Sequence, residues 1–208
     1  MNASFSSVAY WEARYRGGGH SGAGSRGHLL TYKAGFINGF IAANRVASII
    51  DFGCGDGALL SLLTVKTYTG LDVSTTTLAS CARQFPEREF LPYYQVDNAA
   101  IADLSLSIDV IYHLIEDTTF VQYIDNLFAH ATRFVIVYAS NTDLAWPAAH
   151  VRHRRFTDMA TARHPAWRLL AHCPNSSPFD PARPDDTSFA DFFVFGCEGA
   201  PCVISLPG

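Results

Sequence analysis

The sequence predicts an α/β protein with a doubly wound, mostly parallel sheet and helices on both of its faces. Three observations support this prediction. Short apolar segments typical of buried strands alternate with helical segments along residues 46–141. A glycine-rich turn follows the first apolar segment. Near the C-terminus, two apolar segments are joined by a proline-rich loop without a helix, so we expect the sheet to end in antiparallel neighbours.

The first strand and its turn form the most informative stretch of the chain. Residues 46–52 are typical of a strand covered on both faces, and Gly53, Gly55 and Gly57 follow it. The third glycine comes two residues after the second, whereas the dinucleotide-binding fingerprint places it three residues after. We expect a helix to begin after this turn, with its free N–H groups directed at a negative group.

The second strand is predicted within residues 66–74 and ends in Asp72, about twenty residues after the first strand. A carboxylate at such a strand tip can accept hydrogen bonds from both hydroxyls of a ribose. Asp72 can also be the N-terminal acid of a helix that Ser74 caps, and the two interpretations are compatible.

A third strand is predicted at residues 90–96, although Pro92 disfavours its first half. It ends at Asp97 and Asn98, where Asp97 is equally suited to an Asx turn. Residues 101–114 contain the fourth strand and its exit, and residues 133–141 form the fifth.

Helices and the last strands complete the prediction. Between strands four and five, a helix capped at Asp117 and Thr118 carries its apolar side chains on one face: Phe120, Ile124, Leu127 and Phe128. An earlier helix over residues 28–44 has an apolar face that we assign to the core. Residues 167–173 and 188–195 are expected to pair as antiparallel strands.

The stretch Asp51-x-Gly53-x-Gly55-x-Gly57 resembles the first motif of class I S-adenosylmethionine-dependent methyltransferases. The resemblance covers roughly residues 28–197 and includes the C-terminal hairpin, so it implies a seven-stranded sheet of order 3-2-1-4-5-7-6. The stretches 109–117 and 150–158 look like a bacterial subgroup of small stand-alone methyltransferases, to which we attach no substrate.

The resemblance implies S-adenosyl-L-methionine as cofactor and S-adenosyl-L-homocysteine as product. In the family, the glycine turn meets the methionine and ribose portions of the cofactor, and a polar residue after strand three reads the adenine amino group. The implied cofactor-binding residues are Asp51, Gly53, Cys54, Gly55, Gly57, Asp72, Val73, Asp97, Asn98 and Asp109. Cys54 is expected to be a small apolar filler of the turn.

The implied chemistry is an in-line displacement in which a substrate oxygen or nitrogen attacks the sulfonium methyl. Positioning supplies most of such catalysis, and a general base adds to it. His113 is the candidate base or orienting group, because neutral imidazole is suited to accept one proton near pH 7. Tyr112 and Asn141 are the other catalytic candidates, and a purely structural role for His113 is equally compatible with the sequence.

Candidate substrate-binding residues come from two segments. His150, His153, Arg154 and Arg155 follow strand five, where arginine forks can clamp an anionic group, although a solvated helix start fits equally well. Tyr15 and His20 are the candidates from the N-terminal segment: Tyr15 precedes, and His20 lies within, a stretch that has six glycines in residues 16–27. No metal site is expected, because no clustered acid or cysteine accompanies the histidines.

We therefore expect residues 1–27 to form a flexible lid, or else a plain linker, and residues 28–208 a single methyltransferase domain. A formal net charge of −4 disfavours nucleic acid as a partner, and the Asn/Asp-Pro-Pro-Tyr/Phe signature of nucleic-acid amino methylases is absent. The sequence shows neither a membrane-spanning apolar run nor a leader, so the cytoplasm is the expected compartment. The five cysteines are expected to be reduced, and the oligomeric state is not readable.

The function predicted from these observations is methyl transfer to an oxygen or nitrogen of a small metabolite, with an anionic metabolite favoured by the arginines. Three alternatives stay open at this point. The first is a non-catalytic methyltransferase-like binding or partner module, and the second is methylation of RNA or protein. The third is a nicotinamide-dependent oxidoreductase, which the glycine spacing disfavours.

Overall fold

The computed structural model describes residues 5–199 and 201–204. Its α-helices are α1 Ser7–Arg16, α2 Gly27–Asn44, α3 Thr75–Gln84, α4 Asp117–Ala129 and α5 Phe156–Arg163. Its strands are β1 Ser48–Phe52, β2 Thr67–Asp72, β3 Glu89–Pro92, β4 Ala102–Ile108, β5 Ala131–Ala139, β6 Trp167–Cys173 and β7 Asp191–Cys197. Short 3-10 turns lie at Ala23–Ser25, Leu60–Leu62, Tyr93–Asn98 and Ile111–His113.

The strands form one seven-stranded sheet of order β3-β2-β1-β4-β5-β7-β6. Strands β1 to β5 pair in parallel, and β7 runs antiparallel between β5 and β6. The predicted fold class and strand order are confirmed. From β1 the chain moves outward through β2 to β3 on one side, and then returns to β4 on the other side of β1. The connections on the two sides diverge at this point, so a crevice for ligands opens between the carboxyl ends of β1 and β4.

The core lies on both faces of the sheet, as the continuous apolar character of the strands predicts. In β1, Ile49 packs with α2 on one face, and Ile50 packs with α4 on the other. On the α2 side, the rings of Phe36 and Phe192 stack with their centroids 3.9 Å apart. These contacts join α2 to β7 at the distal half of the sheet.

The connection from β1 to β2 corrects one expectation. No α-helix follows the glycine turn, and the described chain forms only the short 3-10 turn at Leu60–Leu62. Asn38 of α2 explains why the turn stops there: its amide donates to the Leu62 carbonyl at 2.7 Å and accepts from the Thr64 N–H at 2.8 Å. These bonds draw the chain out of helical geometry and into β2.

Two smaller corrections concern element ends. Strand β3 ends at Pro92, because the chain turns into 3-10 geometry at Tyr93 instead of continuing to residue 96. Helix α4 is preceded by Glu116 as its N-cap, one residue before the predicted caps. Ser74 caps α3 as expected, since its hydroxyl accepts from the Thr77 N–H at 3.2 Å.

Across the described ranges, the structure contains no helix with the length and apolar character needed to cross a membrane.

We predict that Phe192→Ala lowers the free energy of unfolding by about 3–5 kcal/mol, because it removes a fully buried ring and leaves a cavity against Phe36. Urea unfolding followed by circular dichroism measures this change. Leu144→Ala is the matched control, since Leu144 is 69% exposed. A loss below about 1 kcal/mol for Phe192→Ala, similar to that of a surface substitution, would contradict the packing described.

Candidate active site

The glycine turn after β1 adopts a backbone that side chains do not tolerate. Gly53 and Gly55 have positive φ values of 84° and 55°. A Cβ atom at Gly53 would collide with the side chain of Val110, and one at Gly55 would collide with the hydroxyl of Ser21. The Gly53 and Cys54 N–H groups donate to the carbonyl of Leu71 at 2.7 and 2.9 Å, which ties the turn to the end of β2.

Asp72 lies at the tip of β2 and faces this turn. Its two carboxylate oxygens accept from the Gly55 N–H at 3.0 Å and from the Ser74 N–H at 2.9 Å. Burial raises the pKa of Asp72 to about 6, although the backbone hydrogen bonds oppose this effect. The carboxylate therefore serves as the helix-terminal acid, and its contact with a ribose stays a prediction that is compatible with this role.

Asp51, the acid that opens the motif, is also buried. The Tyr68 hydroxyl donates to it at 2.7 Å. Desolvation raises the pKa of Asp51 to about 7, since the hydrogen bond from Tyr68 only partly offsets the cost of burying the charge.

A cavity lies above the carboxyl ends of β1, β2 and β4 and beneath α1. Nine of the candidate residues line it: Tyr15, Asp51, Gly53, Cys54, Gly55, Asp72, Val73, Asp109 and His113. Other residues in its wall are Ser7, Trp11, Ser21, Leu30, Lys33, Tyr93, Val110, Leu114 and Tyr123. Residues from the N-terminal segment, the glycine turn and the strand tips thus surround one space.

Lys33 is a site residue that the sequence analysis missed. It lies on α2 with only 2% of its side chain exposed, and it forms an ion pair with Asp109 at the exit of β4. Asp109 has a left-handed backbone with φ 60°, and its second carboxylate oxygen accepts from the Tyr112 hydroxyl at 2.8 Å. The sequence contains a pattern that could have identified this lysine. Lys33 stands four residues from both Leu29 and Ile37, which places a charged residue on the apolar face of its helix.

His113 lines the cavity beside the edge of Trp11, with ring centroids 4.9 Å apart. Its Nδ1 lies 2.9 Å from the carbonyl oxygen of His150. Because a carbonyl only accepts, Nδ1 carries the hydrogen and Nε2 keeps a free lone pair in the neutral ring. Burial lowers the pKa of His113 to about 4, so the ring is neutral near pH 7.

The N-terminal segment is held over the cavity by defined hydrogen bonds. At the start of α1, the Ser7 N–H and hydroxyl donate to the carboxylate of Glu116 at 3.1 and 2.8 Å. After the end of α1, the Ser21 N–H donates to the Asp56 carboxylate, and the Asp56 N–H donates to the Ser21 hydroxyl, each at 3.1 Å. The Tyr15 and Ser21 hydroxyls are 2.8 Å apart.

The arginines after β5 lie outside the cavity wall and bind protein groups. Arg154 donates to the carbonyls of Leu114 and Ile115 at 2.7 and 2.9 Å and pairs with Asp117. Arg155 lies 3.9 Å from Asp143. These contacts fix the loop between β4 and α4.

The remaining candidates also lie outside the cavity wall. The Asn141 amide bonds to Thr157 at 2.8 and 3.2 Å, and Nδ1 of His153 lies 2.6 Å from the Ser140 hydroxyl. The ring of His150 stacks on Tyr10. The candidates that the structure does not bring to the wall are His20, Gly57, Asp97, Asn98, Tyr112, Asn141, His150, His153, Arg154 and Arg155. Within residues 5–199 and 201–204, no group of three or more His, Cys, Asp or Glu residues is arranged to hold a metal ion.

Comparisons with known proteins give a family match and similar folds. Residues 50–136 match the family described as "Methyltransferase domain". No curated protein matches the sequence. Among solved structures, magnesium protoporphyrin IX methyltransferase from Synechocystis PCC 6803 with bound S-adenosylhomocysteine is similar, with 13% identity, a TM-score of 0.67, and coverage of 92% of this chain and 98% of that one.

Two further solved structures share the fold. The N-methyltransferase NodS from Bradyrhizobium japonicum WM9 has 14% identity and a TM-score of 0.61, with 82% of this chain and 97% of that one covered. The methyltransferase domain of the bacterial protein CtHen1-C has 18% identity and a TM-score of 0.62, with 81% and 98% covered.

The strand order and the similar solved structures show that the chain has the fold of class I, Rossmann-like methyltransferases. Within this fold, residues 50–136 match the methyltransferase domain family. The residues present fit an adenosyl cofactor with an amino-acid end, because a turn without Cβ atoms adjoins the acid Asp72 and the buried cation Lys33.

Asp51→Asn is predicted to change how stability depends on pH. The pKa of Asp51 is raised in the folded protein, so folding favours the protonated acid, and its contribution to stability is lost as pH rises from about 4 towards 7. Asparagine keeps an acceptor for Tyr68 without a charge. We expect the variant to gain on the order of 2 kcal/mol relative to the wild type between about pH 5 and about pH 8.

Urea unfolding of both proteins across this pH range measures the difference. Asp185→Asn is the control, since Asp185 is exposed. Parallel pH profiles for the wild type and Asp51→Asn would show that Asp51 is not held at a raised pKa.

Proposed function

We propose that this protein transfers the methyl group of S-adenosylmethionine to an oxygen or nitrogen of a small molecule bound beneath α1. The observation that carries the proposal is that neutral His113 and the glycine turn line one cavity. The same space thus offers a place for the methyl donor and a proton acceptor for the nucleophile.

The cofactor's ribose would be held by Asp72, whose oxygens have lone pairs in addition to those used by Gly55 and Ser74. Its methionine end carries a carboxylate and an ammonium group. Lys33 is the only lysine or arginine among the described residues of the cavity wall, and Asp109 lies beside it. We assign the carboxylate to Lys33 and the ammonium group to Asp109, so the buried ion pair would match both charges of the amino acid.

The acceptor site is assigned to the part of the cavity beneath α1. Trp11 and Tyr15 project from this helix into the wall, and His113 and Leu114 approach from the loop after β4. An apolar cover of this kind excludes water, which would otherwise compete for the acceptor. We infer that residues 1–27 act as a lid over a single domain formed by residues 28–208, because α1 is held by contacts from Ser7, Glu12 and Ser21.

When bound, S-adenosylmethionine supplies an electrophilic methyl group. The protein's contribution is to hold the acceptor in line and to receive its proton. Nε2 of His113 has the free lone pair for this purpose, and the carbonyl of His150 fixes the tautomer. A pKa of about 4 makes His113 a weak base, so its larger role is to orient a hydroxyl or amine by accepting its hydrogen.

The acceptor class proposed is a small molecule. Arg154 is not open to an anionic acceptor, because it is used by Leu114, Ile115 and Asp117. Arg152 binds the Ile115 carbonyl and Asp117 as well, so Arg155, with a side-chain exposure of 66%, is the arginine that would meet an anionic group.

Asp72→Asn is predicted to weaken binding of S-adenosylhomocysteine about ten- to hundredfold, because a neutral amide is a weaker and partly mismatched acceptor for two hydroxyls. Isothermal titration calorimetry measures the affinity, and Asp185→Asn is the control because Asp185 is exposed and absent from the cavity wall. NAD is expected not to bind the wild type. Equal affinity of the wild type and Asp72→Asn for S-adenosylhomocysteine would contradict the assignment of Asp72.

His113→Asn is predicted to lower kcat about 10²- to 10⁴-fold while affinity for S-adenosylhomocysteine changes less than about threefold. The acceptor is first found by incubating the protein with a fractionated metabolite extract and methyl-deuterated S-adenosylmethionine, followed by mass spectrometry of the products. His28→Asn is the control, since His28 is exposed and absent from the cavity wall.

Each outcome of the label search is informative. A deuterated methyl group on a small molecule supports the proposal, and its mass and position give the acceptor atom. Label found only in RNA or protein would overturn the small-molecule class. Tight binding of S-adenosylhomocysteine without transfer to any fraction would instead support a non-catalytic binding module.

A further inference from the structure

Two thiols meet beneath the glycine turn, and the mechanism above uses neither of them. Cys54 lies in the turn itself, and Cys81 lies on α3. Both sulfur atoms donate to the same carbonyl oxygen, that of Gly55, at 3.9 Å for Cys54 and 3.3 Å for Cys81. The shared acceptor places both sulfur atoms beside the same peptide group, on opposite sides of one turn–helix contact.

The pair is buried but adjoins the cofactor cavity. Cys81 has no exposed surface, whereas Cys54 is 7% exposed and lines the cavity wall. A solute as small as a peroxide that enters the cavity can therefore reach the pair. The other three cysteines, Cys173, Cys197 and Cys202, are free thiols at the far half of the sheet or after it.

We propose that Cys54 and Cys81 are a modification site: a peroxide oxidises them to a disulfide, and the disulfide weakens binding of the adenosyl cofactor. The inference concerns control of the site and does not depend on which molecule accepts the methyl group.

The chemistry balances with hydrogen peroxide as the two-electron oxidant. The sulfur of Cys54 attacks one peroxide oxygen, the O–O bond breaks, and the hydroxide that leaves takes up the thiol proton of Cys54 to become water. The sulfur of Cys81 then attacks the sulfenic acid of Cys54, the S–S bond forms, and the second water leaves with the thiol proton of Cys81. Cys54 reacts first because it lines the cavity, whereas Cys81 has no exposed surface.

The expected loss of affinity follows from the turn's geometry. A disulfide has no S–H group, so oxidation removes both sulfur donors from the Gly55 carbonyl and leaves it the hydroxyl of Thr77 at 3.1 Å. The S–S bond is also shorter than a contact between two thiols, so Cys54 is drawn towards α3. Gly55 carries the N–H that positions Asp72, and a shift of this residue displaces the ribose site.

The test uses the full-length protein in three states: reduced, treated with hydrogen peroxide, and treated and then reduced with dithiothreitol. Peptide mapping by mass spectrometry detects a Cys54–Cys81 cross-link, and calorimetry measures the affinity for S-adenosylhomocysteine. We expect the cross-link in the oxidised sample only, with affinity about tenfold weaker and restored by dithiothreitol.

Two variants separate this pair from the other thiols. Cys81→Ser keeps a donor for the Gly55 carbonyl but cannot form the disulfide, so its affinity should not respond to peroxide. The double variant Cys197→Ser and Cys202→Ser retains the pair and should respond as the wild type does. If Cys81→Ser does not fold, the comparison of oxidised and re-reduced wild type still decides the question.

Absence of the Cys54–Cys81 cross-link after peroxide treatment would overturn the proposal. A cross-link with unchanged affinity for S-adenosylhomocysteine would overturn the claim that the disulfide weakens binding of the adenosyl cofactor. Failure of the reduced protein to bind S-adenosylhomocysteine at all would instead contradict the proposed cofactor site, while the peptide map would still report on the thiols.

Discussion

The structure depends on one joint, the hydrogen-bonded contact between the turn after β1 and the end of β2. Two N–H groups of the turn share the carbonyl of Leu71, and a third, from Gly55, binds the carboxylate of Asp72. Parallel strands bring their carboxyl ends to the same edge, but this joint fixes the turn at that edge with positive φ values. The cavity, the acid proposed to bind the ribose and the thiol pair are all arranged around it.

The joint concentrates acids in a space with little water. Burial raises the pKa of Asp51 and Asp72 to about 7 and about 6, so folding pays an electrostatic cost to keep them there. A third acid of the cavity, Asp109, forms an ion pair with the buried Lys33. The buried ion pair of Lys33 and Asp109 adds little to the stability of the fold, because the cost of desolvating both charges opposes their attraction. Its position beside the glycine turn agrees with the proposal that it binds a ligand that carries both charges. Burial of these acids lowers the stability of the fold, and in return the charged groups of the cavity are in place before a ligand binds.

The N-terminal helix links the cover of the cavity to the residue proposed to receive the proton. The Ser7 hydroxyl lies 2.8 Å from the carbonyl of His113, and the Ser7 N–H donates to Glu116 at 3.1 Å, so the start of α1 is fixed to the loop that carries His113. Arg154 binds the next two carbonyls of the same loop from the opposite side. The arginine predicted to clamp a substrate thus holds the loop in place, and movement of α1 would be transmitted to His113 directly.

The sequence by itself determined most of the strands, the glycine turn and the acid at the end of β2, because these depend on local patterns: apolar runs, glycine spacing and strand-end acids. The strand order came from the resemblance of these motifs to a known family. It failed where a distant side chain decides a local structure, as when Asn38 ends the turn that was expected to become a helix. Only the tertiary structure brought Lys33 to Asp109, turned Arg154 away from the cavity and joined Cys54 to Cys81. These residues are far apart in the chain, and the direction of a long side chain is set by the partners that it meets after folding.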